Sequence, residues 1–408
     1  MMRVERHYIK PSNELFELCV QSKKLYNKCN YYMRQVFFKN RNKMDREKMP
    51  DIGSLTSLVH EEDCFKKLHN TKTAKQTIRK VISDWSNYFK SLKAYNKNPK
   101  LFKKRPNHPG YKRKVSQVIF YNETIRIGPR KDGYLTPTND VFKIKSNKDF
   151  CQVVVTPKRF GFIIEVQYEV ETPVKSKAKR EGIACVDLGL NNLMAITSDQ
   201  FSPILVNGRI LKSINQWFNK NKCKNTSRKR YWRIENYFHH AANFLIELCI
   251  NHKVGTIIIG KNDGWKEGMN IGKKNTQNFQ YVPFGKLLQK IEYKAQTVGI
   301  AVIYTEESYT SQASFANKDP LPIWEKGMDT PFFSGKRTKR GLYKNSDGSC
   351  VNADINGSLN IGRKVLDKDV IGNVDYINKL NRSLAARPLV INPLKDRCGQ
   401  LSYLYNSD

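Results

Sequence analysis

The chain contains the stretch Gly182-Ile183-Ala184-Cys185-Val186-Asp187-Leu188-Gly189-Leu190-Asn191-Asn192-Leu193-Met194-Ala195-Ile196, in which one carboxylate ends an apolar run. The run before Asp187 predicts a buried strand, Gly189 predicts a turn, and the apolar run that follows predicts a second strand. A carboxylate buried in a strand costs free energy unless a cation meets it, and the usual cation is a divalent metal. Asp187 is therefore the first candidate metal ligand, and it points toward metal-dependent phosphodiester chemistry.

The segments that follow this stretch extend the sheet. Residues 182–305 predict three strands, a helix at about 229–250, a strand at 256–259, a helix at about 284–297 and a strand at 300–305. A meander of three antiparallel strands followed by strand–helix units is the order of an RNase H-like fold. A final helix is expected after Asp354.

The first 172 residues predict a small β-domain that a helical region interrupts. Residues 3–10 have the pattern of a strand, and residues 14–39 and 71–95 have apolar side chains at helical spacing. Further strands are expected at 117–121, 123–127, 141–144, 152–156 and 161–170. The β-domain therefore consists of residues 1–10 and 111–172, with a helical insert at 11–110.

The remaining domain boundaries follow from composition. Residues 173–180 are rich in Lys and Pro and predict a linker, and residues 181–370 predict an α/β domain. The last residues, 371–408, carry several Arg and Lys side chains and are expected to form a mobile tail. The predicted fold class is therefore multidomain α+β.

The charge of the chain predicts a polyanionic partner. The formal net charge is +35, from 72 Lys and Arg against 37 Asp and Glu, and nucleic acid is the natural partner for such an excess. No apolar run is long enough to span a membrane, so no membrane partner is expected. Nine cysteines without a C-x-x-C pair indicate a reducing compartment. We expect the cytoplasm, with the nucleoid, in a bacterium, and the nucleus in a eukaryotic or viral setting.

Two-metal phosphodiesterases need about three carboxylates around two ions. Asp354, at the start of the final helix, is the second candidate, with a helix-capping role as the alternative. The third acid is expected at the end of the strand beside Asp187, but Gly260 stands there. The next strand ends in Glu306 and Glu307, and a glutamate there has room to lean across Gly260. We take Glu307 as the third ligand and Glu306 as its competitor.

Four groups of basic residues are candidates for nucleic-acid binding, and a solvated helix face or a lid helix is the alternative for two of them. The candidates lie on the second helix, in a basic loop, on the helix after residue 224 and in the segment before Asp354. They are Lys72, Lys75 and Arg79; Lys103, Lys104, Arg105 and Lys112; Arg228, Arg230 and Arg233; and Lys336, Arg337 and Arg340.

The chain resembles the TnpB family of transposon-encoded RNA-guided DNA endonucleases, which is related to type V CRISPR effectors and Fanzor proteins. Each matching segment alone is weak, but together they span nearly the whole chain in the family's order. The segments are residues 22–27, 109–112, 185–189, 259–262, 309–311 and 352–357.

The resemblance implies a β-barrel wedge domain at 1–10 and 111–172, a helical recognition domain at 11–110 and a RuvC-like nuclease domain at 181–370. It implies that Asp187 and Asp354 are the first and last RuvC acids. It also implies two Mg²⁺ ions, for which Mn²⁺ substitutes. The implied partners are a guide RNA from the protein's own locus and double-stranded target DNA with a short adjacent motif.

The chain departs from the family pattern at two places. The usual middle glutamate is missing at Gly260, whereas a Fanzor-like branch carries it just before the Tyr-Thr-Ser motif, which fits Glu307. Most relatives also carry two C-x-x-C pairs before the last Asp, but residues 311–316 replace the first pair and only Cys350 lies near the second. Zinc takes about four ligands, so we expect no zinc and interpret residues 312–350 as a zinc-free remnant that still contacts nucleic acid.

Two other functions stay open from the sequence. The missing middle glutamate is typical of a nuclease-dead, RNA-guided DNA-binding repressor. An RNase H-fold DNA transposase would use the same chemistry without a guide RNA.

Overall fold

The computed structural model describes residues 2–40, 48–99, 102–127, 133–158, 161–170, 180–261, 282–325, 327–329, 331–339, 341–366 and 387–396. The chain divides into two compact units, residues 1–171 and 172–408. The finer domain boundaries stay predictions. No described helix is long and apolar enough to cross a membrane.

The first unit combines a helical part with two β-sheets. Its described helices are α1 (Asn13–Lys39), α2 (Ile52–Val59), α3 (Asp63–Lys66) and α4 (Thr71–Lys97). Its described strands are β1 (Met2–Ile9), β2 (Val118–Tyr121), β3 (Ile125–Ile127), β4 (Tyr134–Pro137), β5 (Ile144–Lys145), β6 (Phe150–Lys158) and β7 (Gly161–Glu169).

The two long helices of the first unit begin at side-chain caps. Ser12 Oγ accepts a hydrogen bond from the Leu15 amide at 3.3 Å, and Asn70 Oδ1 accepts one from the Lys72 amide at 2.8 Å. Such caps satisfy backbone donors that lack a partner within the helix. The apolar faces of α1 and α4 then pack together around Trp85, whose indole nitrogen donates to Asn30 Oδ1 at 2.8 Å.

The expected β-barrel is not formed by the described strands of this unit. One sheet has the antiparallel order β1-β7-β6-β2, with β1 and β2 as its open edges, and a separate sheet has the order β3-β4-β5. A 3-10 turn at Asn122–Thr124 ends β2 after four residues, so the long edge needed for closure is missing. The strand predicted at 141–144 is also displaced, because β5 begins only at its last residue, Ile144, and β4 precedes it at Tyr134–Pro137.

The second unit contains the segment that opened the sequence analysis. Its described strands are β8 (Gly182–Leu188), β9 (Asn192–Ser198), β10 (Ile204–Asn207), β11 (Val254–Gly260), β12 (Ala301–Thr305), β13 (Lys336–Lys339), β14 (Leu342–Lys344), β15 (Cys350–Asn352) and β16 (Leu389–Ile391). Its described helices are α5 (Arg209–Lys220), α6 (Lys224–Asn251), α7 (Phe284–Thr297) and α8 (Ala353–Leu366).

The predicted RNase H-like order is confirmed. The main sheet has the order β12-β11-β8-β9-β10-β16. Strands β8, β9 and β10 are antiparallel neighbours, whereas β11 pairs in parallel with β8 and β12 pairs in parallel with β11. Helix α5 and strand β16 are additions that the sequence analysis did not predict.

Helices cover both faces of this sheet. The side chains of β8 point alternately to the two faces, and this alternation determines the face on which Asp187 lies. Ala184, Val186 and Leu188 share a core with α6 and α7, while Ile183 and Cys185 share the opposite core with α8. Successive side chains of a strand point to opposite faces. Asp187 therefore belongs to the face that α8 covers.

The prediction of a mobile tail is wrong for residues 387–396. Leu389, Val390 and Ile391 form β16, which pairs in parallel with β10 at the edge of the main sheet. Ile391 is buried in the same core as α6 and α7, whereas 60% of Val390 is exposed. An apolar segment that finds an unpaired strand edge gains both backbone hydrogen bonds and burial. The rest of the tail, 371–386 and 397–408, lies outside the described residues.

The strand β16 gives a test of this fold. Ile391→Ala should lower the free energy of unfolding by about 2–5 kcal/mol, because it removes a buried aliphatic side chain. Val390→Ala, its exposed neighbour, should change it by no more than about 0.5 kcal/mol. Urea unfolding measured by circular dichroism compares the two, and equal effects would contradict the docking of this strand.

Candidate active site

Asp187 lies near the end of β8, under the first turns of α8. A Cβ atom built on Gly357 would lie 2.8 Å from Asp187 Oδ2, which is closer than such atoms normally approach. Residue 357 is three positions after Asp354, so both residues lie on one side of the helix. A glycine at 357 therefore lets the helix cross directly over the Asp187 carboxylate.

Asp354 lies in the first turn of α8 and is held from three directions. Asn352 Oδ1 accepts hydrogen bonds from the amides of Asp354 and Ile355, at 3.0 and 3.2 Å, which fixes the start of the helix. Asn192 Nδ2 donates to Asp354 Oδ2 at 2.7 Å, and a terminal guanidinium nitrogen of Arg337 donates to Oδ1 at 3.2 Å. Asn192 and Arg337 thus orient the carboxylate toward the sheet.

The surroundings of Asp187 oppose its ionisation. Burial, and then the negative charge of Asp354, raise the pKa of Asp187 to about 7 from an ordinary value of 3.8. The guanidinium of Arg337 and the backbone amide of Leu188 act in the opposite direction. A cation between the two carboxylates would stabilise the charged form of both.

Glu307 follows β12 and leans over the end of β11. Thr305, the last residue of β12, is in register with Gly260. A Cβ atom on Gly260 would lie 2.3 Å from Glu307 Oε1 and 2.6 Å from Ile361 Cδ1. The expectation that a glutamate leans across Gly260 is therefore confirmed, while its role as a metal ligand stays a prediction.

Glu306, the competing glutamate, is engaged elsewhere. Its Oε1 is paired with Lys364 Nζ of α8, and its Oε2 accepts a hydrogen bond from the Ser308 amide at 2.7 Å. The Lys364 side chain is only 2% exposed, so it needs a nearby negative charge. The two adjacent glutamates therefore have different partners, and the choice of Glu307 as the third metal ligand stays a prediction.

Of the three candidate metal ligands, only Asp187 and Asp354 lie close together. Asp187 and Asp354 are close enough to interact electrostatically, but within the described part of the chain no three His, Cys, Asp or Glu side chains lie close enough to share a metal ion. The donors are all carboxylate oxygens, which suit Mg²⁺ or Mn²⁺. The Asp187–Asp354 pair fits such an ion, and Glu307 would have to approach the pair to complete a two-ion site.

A cleft of about 670 Å³ opens beside Asp354. Its walls include the amides of Asn191 and Asn207 and the basic side chains of Arg209, Lys212 and Arg337. The sequence analysis missed Arg209 and Lys212, because it did not predict α5. Amides and cations in this arrangement suit the phosphates of a nucleic-acid strand.

The predicted basic residues of the second unit divide into two groups. Lys336 and Arg337 lie on exposed strand β13, and Arg228 is exposed on α6, whereas Arg340 lies outside the described residues. Arg230 donates to Asn215 Oδ1 at 2.7 Å, and the Arg233 guanidinium lies 4.7 Å from the centre of the Trp217 ring. These last two arginines pack against α5, whereas the two aromatic residues that the lid-helix alternative places in the core, Tyr231 and Trp232, are exposed.

The predicted basic residues of the first unit also differ in their surroundings. Lys103, Lys104, Arg105, Lys72 and Arg79 are exposed, and Lys75 is partly buried. Lys72 forms an ion pair with Glu123, and Arg79 lies over the ring of Tyr121 at 5.8 Å. Lys112 is partly buried 3.5 Å from the centre of the Tyr26 ring, and burial lowers its pKa.

Hydrogen bonds connect the two ends of the insert at residues 312–350. Ser314 Oγ lies 2.8 Å from Asn317 Oδ1 and 2.9 Å from Asn345 Oδ1, and Asn345 Nδ2 donates to Ser349 Oγ at 2.9 Å. Asp319 accepts from the Ser314 amide at 2.7 Å. We call Ser314, Asn317, Asn345 and Ser349 the serine–asparagine cluster. It joins the two ends of the insert by hydrogen bonds between protein groups.

The raised pKa of Asp187 predicts a pH-dependent stability. The unfolded chain loses this proton near pH 4 and the folded chain near pH 7, so the carboxyl destabilises the folded state progressively between about pH 4 and pH 7. In EDTA, Asp187→Asn should melt like the wild type below about pH 4 and at a higher temperature at about pH 8.

Metal addition should reverse this difference. Mg²⁺ or Mn²⁺ at about pH 8 should raise the melting temperature of the wild type but not of Asp187→Asn, since a bound ligand stabilises only the form that binds it. Asp329→Asn, at an exposed acid, is the control. Melting curves with the same pH dependence for all three proteins would contradict the assignment.

Comparisons with known proteins agree with this arrangement. The family model described as "Cas12f1-like, TNB domain" matches residues 284–361, which run from α7 through the insert to α8. The TnpB-like protein ORF457 of Acidianus two-tailed virus is 24% identical over 424 residues, covering 86% of this chain and 83% of that protein.

Two further matches are more partial or more distant. The CRISPR-associated endodeoxyribonuclease Cas12f1 of Sulfoacidibacillus thermotolerans is 29% identical over 139 residues, covering 33% of this chain and 28% of that protein. A solved Cas12f1–sgRNA–target DNA complex has a TM-score of 0.48 at 15% identity, covering 85% of this chain and 82% of that one. Over most of its length the chain is thus similar in sequence to a TnpB-like protein, and over a shorter stretch to a type V effector nuclease.

Proposed function

We propose that this protein is an RNA-guided DNA endonuclease that cuts with its RNase H-like unit. The observation that carries the proposal is the Asp187–Asp354 pair, set where α8 crosses the sheet and bordered by a basic cleft. A raised carboxyl pKa that has both a burial cause and a charged partner, in a cleft, is typical of functional sites.

The partners follow from the relatives and from the charge. The related Cas12f1 is named an endodeoxyribonuclease, and the solved Cas12f1 complex contains a guide RNA and target DNA. A net charge of +35 is suited to two nucleic-acid partners. We propose a guide RNA from the protein's own locus and a double-stranded DNA target with a short adjacent motif, read as in other RNA-guided systems.

Asp187 and Asp354 would hold the divalent cation, with Glu307 as the third acid once it approaches them. When bound, Mg²⁺ would acidify a water molecule and neutralise charge on the phosphate. Asn192 and Arg337 each donate a hydrogen bond to one oxygen of the Asp354 carboxylate and so fix its orientation. Arg209 and Lys212 would bind backbone phosphates of the strand in the cleft, which positions the bond to be cut.

A nuclease-dead, RNA-guided DNA-binding repressor is the second candidate. The separation of Glu307 from the Asp187–Asp354 pair favours it, because two acids alone make a weaker two-ion site. The same cutting experiment distinguishes the two functions.

The experiment is guide-dependent cutting of a plasmid library with randomised bases beside the target, in Mg²⁺. Asp187→Ala and Asp354→Ala should each lower the cutting rate on the order of 10³-fold or more, as losses of catalytic groups do in hydrolases. Guide RNA binding should stay unchanged. Guide-dependent binding without cutting by the wild type, in Mg²⁺ and in Mn²⁺, would instead support the repressor.

The neighbouring glutamates provide a matched pair in the same assay. Glu307→Gln should abolish cutting and leave the melting temperature nearly unchanged. Glu306→Gln should lower the melting temperature, since it leaves Lys364 buried without its carboxylate, yet the folded fraction should still cut. The reverse pattern would show that Glu306 is the third acid.

A further inference from the structure

A cavity of about 660 Å³ opens in the first unit. It lies where the C-terminal parts of α1 and α4 meet the basic loop at residues 102–114. Its walls include Phe37, Phe38, Tyr88, Phe89, Arg105 and His108. The volume lies within the range of pockets that bind small ligands, about 300–1,000 Å³.

The aromatic wall is anchored by a buried tryptophan. Phe37 lies 5.1 Å from the Trp85 ring, and His108 stacks on Trp85 with the rings 12° from parallel and 6.3 Å apart. Phe38 and Phe89, in contrast, keep 41% and 38% of their surface exposed. Two large rings thus face solvent on a rigid base, which costs free energy unless a ligand covers them.

The loop that forms the opposite wall is fixed in place. Asn30 Nδ2 donates to the carbonyls of Pro109 and Gly110, at 3.3 and 3.2 Å. Arg34 donates to the Pro109 carbonyl at 3.0 Å, and its guanidinium lies 5.2 Å from the centre of the Phe38 ring. The cavity is therefore preformed and does not depend on a ligand to order its walls.

The rim of the cavity carries positive charge. Lys103, Lys104 and Arg105 are consecutive, exposed residues of the same loop, and Arg105 itself lines the cavity. Asn40 and Asn107 add amide groups to the wall, and the described lining contains no carboxylate. Aromatic faces, amides and adjacent cations together match a nucleotide, through base stacking, edge hydrogen bonds and phosphate contact.

We propose that this cavity binds an unpaired base of the guide RNA. The base stacks against the exposed rings of Phe38 and Phe89, and the flanking phosphates contact Lys103, Lys104 and Arg105. RNA is the chosen source because proteins read RNA mainly through splayed-out bases of single strands, whereas the bases of a duplex target are paired. The choice of guide RNA rests on the proposed function.

The test measures binding of a fluorescent single-stranded RNA from the protein's own locus, with single-stranded DNA and duplex RNA of the same sequence as comparisons. Phe38→Ala and Phe89→Ala should each weaken single-stranded RNA binding by about 10-fold. The salt dependence should stay the same, since no charge is lost. Phe16→Ala, which removes a 50% exposed ring elsewhere on α1, should have no effect.

Substitutions in the charged rim should have a different effect on RNA binding. Replacing Lys103 and Lys104 with Ala should weaken binding and also reduce the slope of affinity against salt, because fewer counterions are released. Melting curves check that each variant folds. If an Ala variant unfolds, Phe89→Leu removes the ring face while keeping an apolar side chain, and should show the same loss of RNA binding.

Several outcomes would overturn the proposal. If the Phe38 and Phe89 variants bind RNA as tightly as the wild type, the cavity does not bind a base. If Phe16→Ala weakens RNA binding equally, the effect is not specific to the cavity. A larger loss for single-stranded DNA than for RNA would assign the pocket to a displaced DNA strand. If the wild-type protein cuts normally and the pocket variants bind RNA normally, the proposed endonuclease function is retained. Only the proposed base pocket is then rejected.

Discussion

The close crossing of α8 over the main sheet is the constraint on which the candidate active site depends. Gly357 allows the helix to approach Asp187, and Gly260 leaves the space that Glu307 occupies. Ser358 Oγ then donates to the Cys185 carbonyl at 2.8 Å, two residues before Asp187 on the same strand. Small residues and a buried hydrogen bond thus bring together carboxylates that are far apart in the chain. A side chain larger than hydrogen at either glycine would push the acids apart.

The same helix also positions the insert. Asn356 Nδ2 donates to the Ala313 carbonyl at 2.8 Å, and Asn356 Oδ1 accepts from the Phe315 amide at 3.1 Å. Both groups of this amide are buried and paired, so the start of the insert has a defined place on α8. The serine–asparagine cluster joins that start to the end of the insert. Arg337, on the strand between them, thereby reaches Asp354 and offsets part of its charge.

The two units use aromatic and basic side chains in different ways. In the second unit, Arg230 and Arg233 of α6 are taken up by packing against α5. In the first unit, the rings of Phe38 and Phe89 stay open beside an exposed basic loop. Basic side chains thus serve internal packing in the one place, and in the other we propose that the exposed rings and the basic loop form a binding surface. Charge alone does not distinguish the two, because burial and the available partners decide.

The sequence by itself determined the RNase H-like strand order, the position of Asp187 and the room that Gly260 leaves for a glutamate. These features depend on local periodicity and on one missing side chain, which a sequence displays directly. Only the tertiary structure shows that Glu306 pairs with Lys364, which is 58 residues away, whereas Glu307 lies over Gly260. In the described part of the first unit it shows open sheets where a barrel was expected, and in the second unit it pairs β16 of the tail with β10. Such pairings depend on which strand edges are free after folding, and no local pattern records that.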